Sequence, residues 1–275
     1  MQSIYDLSGE ELYSRAQFFK SNLDYDNYII YITMAANYGY AKAIDTIYDD
    51  ICYEKQNYEN TKIFFEFTSD DINLELNSFS IYFLASMYEL GLGVKHCYTT
   101  AIKLYERAIT KGNSYAMNDL AYLYEKGIAV DIDYDVAIML YGRAVENGNR
   151  FALNNLADMY KRGLGVEIDY ERAIELYQRA IYKGDTYAIN NLANMYVRGL
   201  GMKKDYVKAK QMYESAIELD CDFAEAYYNL AYMYRKGLGV IKNNEMANEI
   251  YSKAVEKQCK NPINNIVSSF KRATL

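Results

Sequence analysis

Apolar residues recur along the chain in two alternating helical registers. In ALNNLADMYKRGLGV, which begins at Ala152, the residues Leu153, Leu156, Ala157 and Tyr160 lie three, one and three positions apart, so they share one stripe of a helix. In the following block, ERAIELYQRAIYKGD from Glu171, Ala173, Tyr177 and Ala180 are spaced by four and three, with Ile174 and Leu176 widening the face. These two segments are helix A and helix B. Alanines at 157, 173 and 180 let two helices joined by a short loop approach closely, while Leu and Tyr fill the space above and below.

The same pair of patterns repeats. At a shift of 36 residues, SIYFLASMYELGLGV from Ser80, AMNDLAYLYEKGIAV from Ala116, ALNNLADMYKRGLGV and AINNLANMYVRGLGM from Ala188 align, and AYYNLAYMYRKGLGV from Ala226 follows two residues late. The helix B blocks TTAIKLYERAITKGN, DVAIMLYGRAVENGN, VKAKQMYESAIELDC and NEMANEIYSKAVEKQ recur between and after them. A period of this length marks a solenoid of helical hairpins, each of which leaves one apolar face to be covered by a neighbour.

Turn residues agree with this division. Gly163 and Gly165, Gly199 and Gly201, and Gly237 and Gly239 follow helix A, where a left-handed residue ends a helix. Asp133, Asp169, Asp205 and Asn243 precede helix B at the N-cap, where a short side-chain oxygen accepts from an orphan N–H. Gly112, Gly148 and Gly184 end helix B. Ala129 replaces the second glycine in GIAV and leaves the geometry of that loop open. The run ELDCDFAEAYYNLAYMY loses the glycine after helix B and gains two residues, so a change of superhelical pitch is expected near Asp220.

The pattern A-x-x-x-L-A-x-x-Y-x-x-G-x-G-V, followed by D-Y-x-x-A-x-x-x-Y-x-x-A-x-x-x-G, resembles the Sel-one-like repeat family, relatives of the tetratricopeptide repeats. That resemblance implies an all-α, right-handed superhelical α/α solenoid with helix A on the concave surface, which binds peptide segments or partner domains. The expected organisation is about seven hairpins: degenerate repeats over 1–78, five regular repeats over 79–260 and a C-terminal capping helix over 261–275. In the first part EELYSRAQFFK reads as a helix A, Ile47 and Ile51 stand in for Leu and Tyr, Ala35 and Gly39 take helix B positions, and Phe64 stands at a usual alanine. In the last, PINNIVSSFKR from Pro262 repeats helix A with Ile266 for Leu and Phe270 for Tyr.

Composition narrows the function. A net charge of −7 offers no basic footprint for nucleic acid or an anionic membrane. The N-terminal twenty residues lack the apolar core of a signal peptide, and no stretch approaches the roughly 18 apolar residues of a membrane span. A cytoplasmic protein without membrane insertion is expected, with non-classical secretion left open. Cys52, Cys97, Cys221 and Cys259 include no CxxC pair with which to begin a zinc site. His96, the single histidine, neighbours Cys97, but side chains adjacent in sequence diverge and make a poor dyad. Asp49 with Asp50 and Asp70 with Asp71 suit capping or solvation better than acid–base work. GLGV follows a helix and lacks a Lys-Ser/Thr pair, so it is a turn and not a phosphate loop. No catalytic residue, cofactor or metal is expected.

The free face of helix A then carries the candidate partner-binding residues. With the core stripe assigned as above, these are Tyr82, Ser86 and Glu89; Asn118, Tyr122 and Glu125; Asn154, Asp158 and Lys161; Asn190, Asn194 and Val197; and Tyr228, Tyr232 and Arg235. Asn155, Asn191, Asn229 and Asn265 form a second series. Their amides suit either an extended peptide backbone or a bond that fixes neighbouring helices. Tyr82, Tyr122, Tyr228 and Tyr232, large and outside the assigned core stripe, are the stronger interface candidates. The stripe runs from acidic at Glu89 and Glu125 to basic at Lys161, Arg162, Arg235 and Lys236, which suits a ligand of mixed charge.

The expected function is a monomeric, non-catalytic scaffold or adaptor for a protein or peptide. Two alternatives remain. One is a secreted, hydrolase-like relative, although this chain lacks the cysteine pairing within hairpins that marks such relatives. The other is a structural element that self-associates through Phe64, Phe65 and Phe67.

Overall fold

A computed structural model describes residues 7–22, 24, 27–28, 31–32, 34–35, 42–43, 78–91, 94–220 and 223–260, the side chains of 80 and 258–260 excepted. The described residues form eleven helices and no strand. α1 is Gly9–Ser21. Five hairpins follow: α2 (Ser78–Leu90) with α3 (Tyr98–Thr110), α4 (Ser114–Lys126) with α5 (Tyr134–Glu146), α6 (Arg150–Arg162) with α7 (Tyr170–Tyr182), α8 (Thr186–Arg198) with α9 (Tyr206–Leu219), and α10 (Ala224–Lys236) with α11 (Asn244–Lys260). The chain is therefore an all-α repeat protein. Two compact units divide it, residues 1–147 and 148–275. Within the first unit α3 packs on α4, and within the second α7 packs on α8 and α9 on α10, so these three B helices are each held between their own helix A and the next.

Residues 1–78 are described only in part. EELYSRAQFFK lies in α1, which begins with a capping box: the Ser8 hydroxyl accepts from the Glu11 N–H, and the Glu11 carboxylate accepts from the Ser8 N–H at 2.8 Å. Ala35 is buried. The positions assigned to Gly39, Ile47, Ile51, Phe64, Phe65 and Phe67 lie outside the described residues, as do Cys52, Cys221, both aspartate pairs and all of 261–275.

Helix B carries the most regular part of the core. Tyr105, Tyr141, Tyr177 and Tyr213 are fully buried, flanked by alanines such as 173 and 180 that have no exposed surface. Helix A departs from expectation in one place. Leu153, Leu156 and Ala157 are buried as expected, but Tyr160 is only half-buried, and the core position beside it is Met159. The same holds for Met87, Leu123, Met195 and Met233. The residue before the helix A tyrosine is thus the more deeply buried of the two.

The loops between A and B close alike. In the third hairpin the Leu164 N–H donates to the Met159 carbonyl at 3.1 Å, and the Asp169 N–H returns to the Tyr160 carbonyl at 3.0 Å. The Asp169 carboxylate then accepts from the Arg172 N–H, as Asp133, Asp205 and Asn243 do in their hairpins. Gly201 shows why the second glycine is needed. Its φ is +67°, and an added Cβ would lie 2.4 Å from the Tyr170 Cβ of the preceding helix B. Ala129 nevertheless adopts φ 59°. The GIAV loop thus keeps the backbone of its neighbours and carries the strain of a left-handed alanine.

The junction near Asp220 differs from the others in its helix length and cap. α9 has 14 residues, and Phe223, at the N-cap position before α10, makes no side-chain cap. Elsewhere a buried Asn113, Asn149 or Asp185 caps helix A. Phe223 is also buried, but it packs edge-on against Tyr187 with ring centroids 4.7 Å apart. An aromatic plug replaces a polar cap there.

Candidate functional site

The helix A face that was expected to be open is partly used up in holding the repeats together. In the first unit Tyr82 is only 6% exposed, and its hydroxyl donates to Asp119 at 2.9 Å on the next helix A. Asn118, 5% exposed, donates to the other oxygen of the same carboxylate at 2.9 Å. Tyr82 and Asn118 therefore do not lie on an open face, because adjacent A helices approach at this level and enclose them. Tyr122 is half-buried. Its hydroxyl is buried without an acceptor among the described residues, and Lys126 sits over its ring at 5.5 Å. Burial first, then the Glu125 and Glu89 carboxylates, push that hydroxyl's pKa far up.

The second unit repeats this tie with amides. Asn191 Nδ2 donates to Asn154 Oδ1 at 2.9 Å, and Asn229 Nδ2 donates to Asn190 Oδ1 at 2.8 Å. Asn190 is only 7% exposed, a further correction to the open-face assignment. Of the two roles weighed for the asparagines, fixing neighbouring helices is the one these bonds perform. Asn155 is half-buried beside Asn154. Asn265 lies outside the described residues.

A second set of candidates serves the helix B tyrosines. The Tyr177 hydroxyl donates to Asp158 at 3.1 Å and the Tyr213 hydroxyl to Asn194 at 2.7 Å. In the first unit the acceptors sit one turn later: Tyr105 donates to Glu89 at 2.5 Å and Tyr141 to Glu125 at 3.0 Å. Burial and the adjoining carboxylate hold Tyr105, Tyr141 and Tyr177 protonated, as donors. Asp158 also pairs with Lys161, and with Arg162 at 3.5 Å. Burial raises its pKa, but the attraction and hydrogen bond of Lys161, with Arg162 and Tyr177, outweigh that and leave it below the ordinary value. Sequence reasoning missed this network. Its signal was a polar acceptor at one of two positions one turn apart, in repeats whose helix B tyrosine never changes.

The last hairpin is where the stripe opens. Tyr232 is 52% exposed, with Lys236 over its ring at 5.9 Å. Arg235 is exposed and lies 5.8 Å over the Tyr251 ring. Tyr228 is half-buried, its ring 5.3 Å from Tyr251. Arg198 on α8 is exposed too, so this part of the face is aromatic and basic.

The other candidate chemistry does not assemble into a reactive pair. His96 stacks edge-on against Tyr98 at 4.4 Å, while Cys97 accepts from the Thr100 hydroxyl at 3.2 Å, which holds its thiol below the ordinary pKa. Among the described residues no group of three or more His, Cys, Asp or Glu is placed to hold a metal, and no helix is long and apolar enough to cross a membrane. An open cleft of about 490 Å³ lies at the A–B loop of the third hairpin, lined by Tyr160, Ile168, Asp169, Tyr170 and Gly201. Asp169 is occupied there as a helix cap.

Known proteins share this architecture. The Sel1 repeat pattern matches residues 78–113, 114–149, 150–185, 186–221 and 224–259. A Sel1 repeat protein from Oxalobacter formigenes aligns with a TM-score of 0.60 at 25% identity, over 73% of this chain and 82% of its own. A protective antigen of uropathogenic Escherichia coli that displays an SLR fold aligns with a TM-score of 0.62 at 26% identity, over 91% of this chain and 54% of its own. An immunity protein from Pseudomonas aeruginosa, at 16% identity and a TM-score of 0.54 over 79% of this chain and 82% of its own, shares the fold. No curated protein matches the chain. With five consecutive matched repeats spanning well over half of its length, the chain belongs to the Sel1 repeat family.

Proposed function

We propose that the chain is a non-catalytic scaffold that binds an extended segment of a partner protein along its helix A face, anchored at the last hairpin. Sel1 repeat proteins generally act as protein-interaction scaffolds. The observation that carries the finer reading is Tyr232, a large aromatic side chain left half-exposed on a face whose other members mostly tie helix to helix. Arg235 and Lys236 beside it are exposed as well. Aromatic and Arg side chains supply most of the binding energy where partners meet, because they bury large areas at low entropic cost. The basic charge around Tyr232 favours an acidic stretch in the bound segment.

The test is affinity capture from the native source with the full chain, followed by capture with Tyr232→Ala combined with Arg235→Ala. Loss of the captured protein, with helical content and unfolding midpoint unchanged, supports the site. Retention of every captured protein overturns it.

A further inference from the structure

The fourth hairpin carries its own ammonium at a place that the third leaves open. Lys208, in the first turn of α9, lies 4.6 Å over the ring of Tyr196. A side-chain hydrogen bond with that tyrosine, the largest cause, holds the ammonium's pKa above its ordinary value. One repeat earlier the ring is Tyr160 and the cation is Arg172. Arg172 does not serve as the cover. Its guanidinium turns along α7 to Glu175 at 2.5 Å, a carboxylate that Arg179 also approaches at 3.8 Å. The reason is in the sequence: Gln211 stands in α9 where Glu175 stands in α7, so Lys208 has no carboxylate three positions on to draw it away.

The Tyr160 ring borders the cleft of about 490 Å³ at the third A–B loop. Tyr160 and Tyr170 are half-buried there, and Ile168 is 57% exposed. The charged residues that line the cleft are Glu167, Asp169 and Glu171, all acidic. Asp169 caps α7. Glu167 and Glu171 are exposed, and neither is engaged in an ion pair or hydrogen bond among the described residues. In the fourth hairpin Lys203 and Val207 take their places. The two carboxylates thus occur where the internal cation is missing and are absent where it is present.

This arrangement selects the occupant. A tyrosine face attracts a cation through its quadrupole, and two unengaged carboxylates supply charge of the matching sign. Ile168 and Val166 offer apolar surface to the group that carries the cation. A lysine in a peptide answers each feature, with a compact ammonium, a four-carbon stem and flanking residues.

We propose that this cleft docks a lysine side chain of a partner protein, its ammonium on the Tyr160 ring with Glu167 and Glu171 as counter-charges and its stem along Ile168. The site lies at the A–B loop and takes a basic group, whereas the face around Tyr232 favours an acidic stretch. It therefore does not depend on partner binding at Tyr232.

The probes are pools of heptapeptides of neutral residues with blocked termini and either lysine or Nε-acetyl-lysine at the centre, passed over the immobilised full chain. The lysine pool should be retained about tenfold more strongly, as one cation–π contact and two exposed ion pairs would give. Glu167→Gln with Glu171→Gln should remove that preference. Arg172→Lys with Glu175→Gln should remove it too, because it gives the third hairpin the internal lysine of the fourth. All four side chains are exposed, so helical content should not change. Equal retention of the two pools overturns the proposal. So does a preference that survives either pair of substitutions, which assigns the retention to the net charge of −7. Displacement of the lysine pool by free cadaverine at the peptides' own concentration also overturns it, and assigns the cleft to a small amine.

Discussion

Tyr177 and Tyr251 hold the same place in the third and fifth hairpins and meet different surroundings. Tyr177 is fully buried between two A helices and gives its hydroxyl to Asp158. Tyr251 is half-exposed under an arginine. The side chain is identical, so the difference comes from the surroundings that each hairpin provides. One residue type can be a core residue or a surface residue in a repeat protein, depending on its neighbours.

Truncation should separate the two most sharply. Tyr177→Ala removes a buried ring and orphans its acceptor, and is expected to cost about 3–5 kcal/mol, the range for large-to-small core changes. Tyr251→Ala should cost less than half as much, because its ring is already half-exposed. Urea unfolding midpoints of the two variants give both numbers.

The loop beside Tyr170 offers the next largest effect. Gly201→Ala forces a left-handed alanine, about 1–2 kcal/mol, and adds an overlap with the Tyr170 Cβ. Thermal unfolding should show a loss at or above the top of that range. Equal stability would mean that the contact with Tyr170 yields without cost.

Asp158 links the interior tyrosine to pH. Its carboxyl is held below the ordinary value, so its contribution to stability is complete above the unfolded pKa, about 3.9, and is lost as pH falls through the lower folded value. Asp158→Asn should therefore flatten the acid limb of the stability profile between neutral pH and pH 2. At neutral pH it should cost on the order of 1–3 kcal/mol, as for a weakened buried hydrogen bond to a charged group. An unchanged acid limb would show that Asp158 is not the group that titrates.

Ala129→Gly runs in the opposite direction. It relieves the left-handed alanine and should stabilise the first unit by about 0.5–1 kcal/mol, net of the chain entropy that glycine adds in the unfolded state. An effect of similar size is expected from Asn191→Ala. It removes one amide tie to Asn154 and should cost about 0.5–1.5 kcal/mol, measured as a shift in the same urea midpoint.

Particular residues show how far the sequence could be read. The helix B stripe of Ala173, Tyr177 and Ala180 was legible in full, because its period and its small residues have one structural meaning. The aspartate and asparagine N-caps were legible for the same reason. The helix A face was not. Tyr82 and Asn190 had been placed outside the core stripe, and both are buried. A single helical wheel shows which side of a helix meets its hairpin partner, but it does not show the third helix packed alongside. The spacing points to Tyr160, although Met159 is the buried residue, because a difference of one position, about 100°, is no larger than the width of the stripe.

By itself the amino-acid sequence determined the repeat, the two helices in each repeat, their caps and loops, and the tyrosine at the centre of each helix B. These depend on residues close together along the chain, where spacing and backbone preference act directly. Only the tertiary structure decided which polar side chains were consumed as ties between helices and which, like Tyr232 and Arg235, remained exposed. That distinction depends on contacts between residues 36 or more positions apart, such as Asn191 with Asn154. It is made by packing, which removes some polar groups from water and leaves others in it.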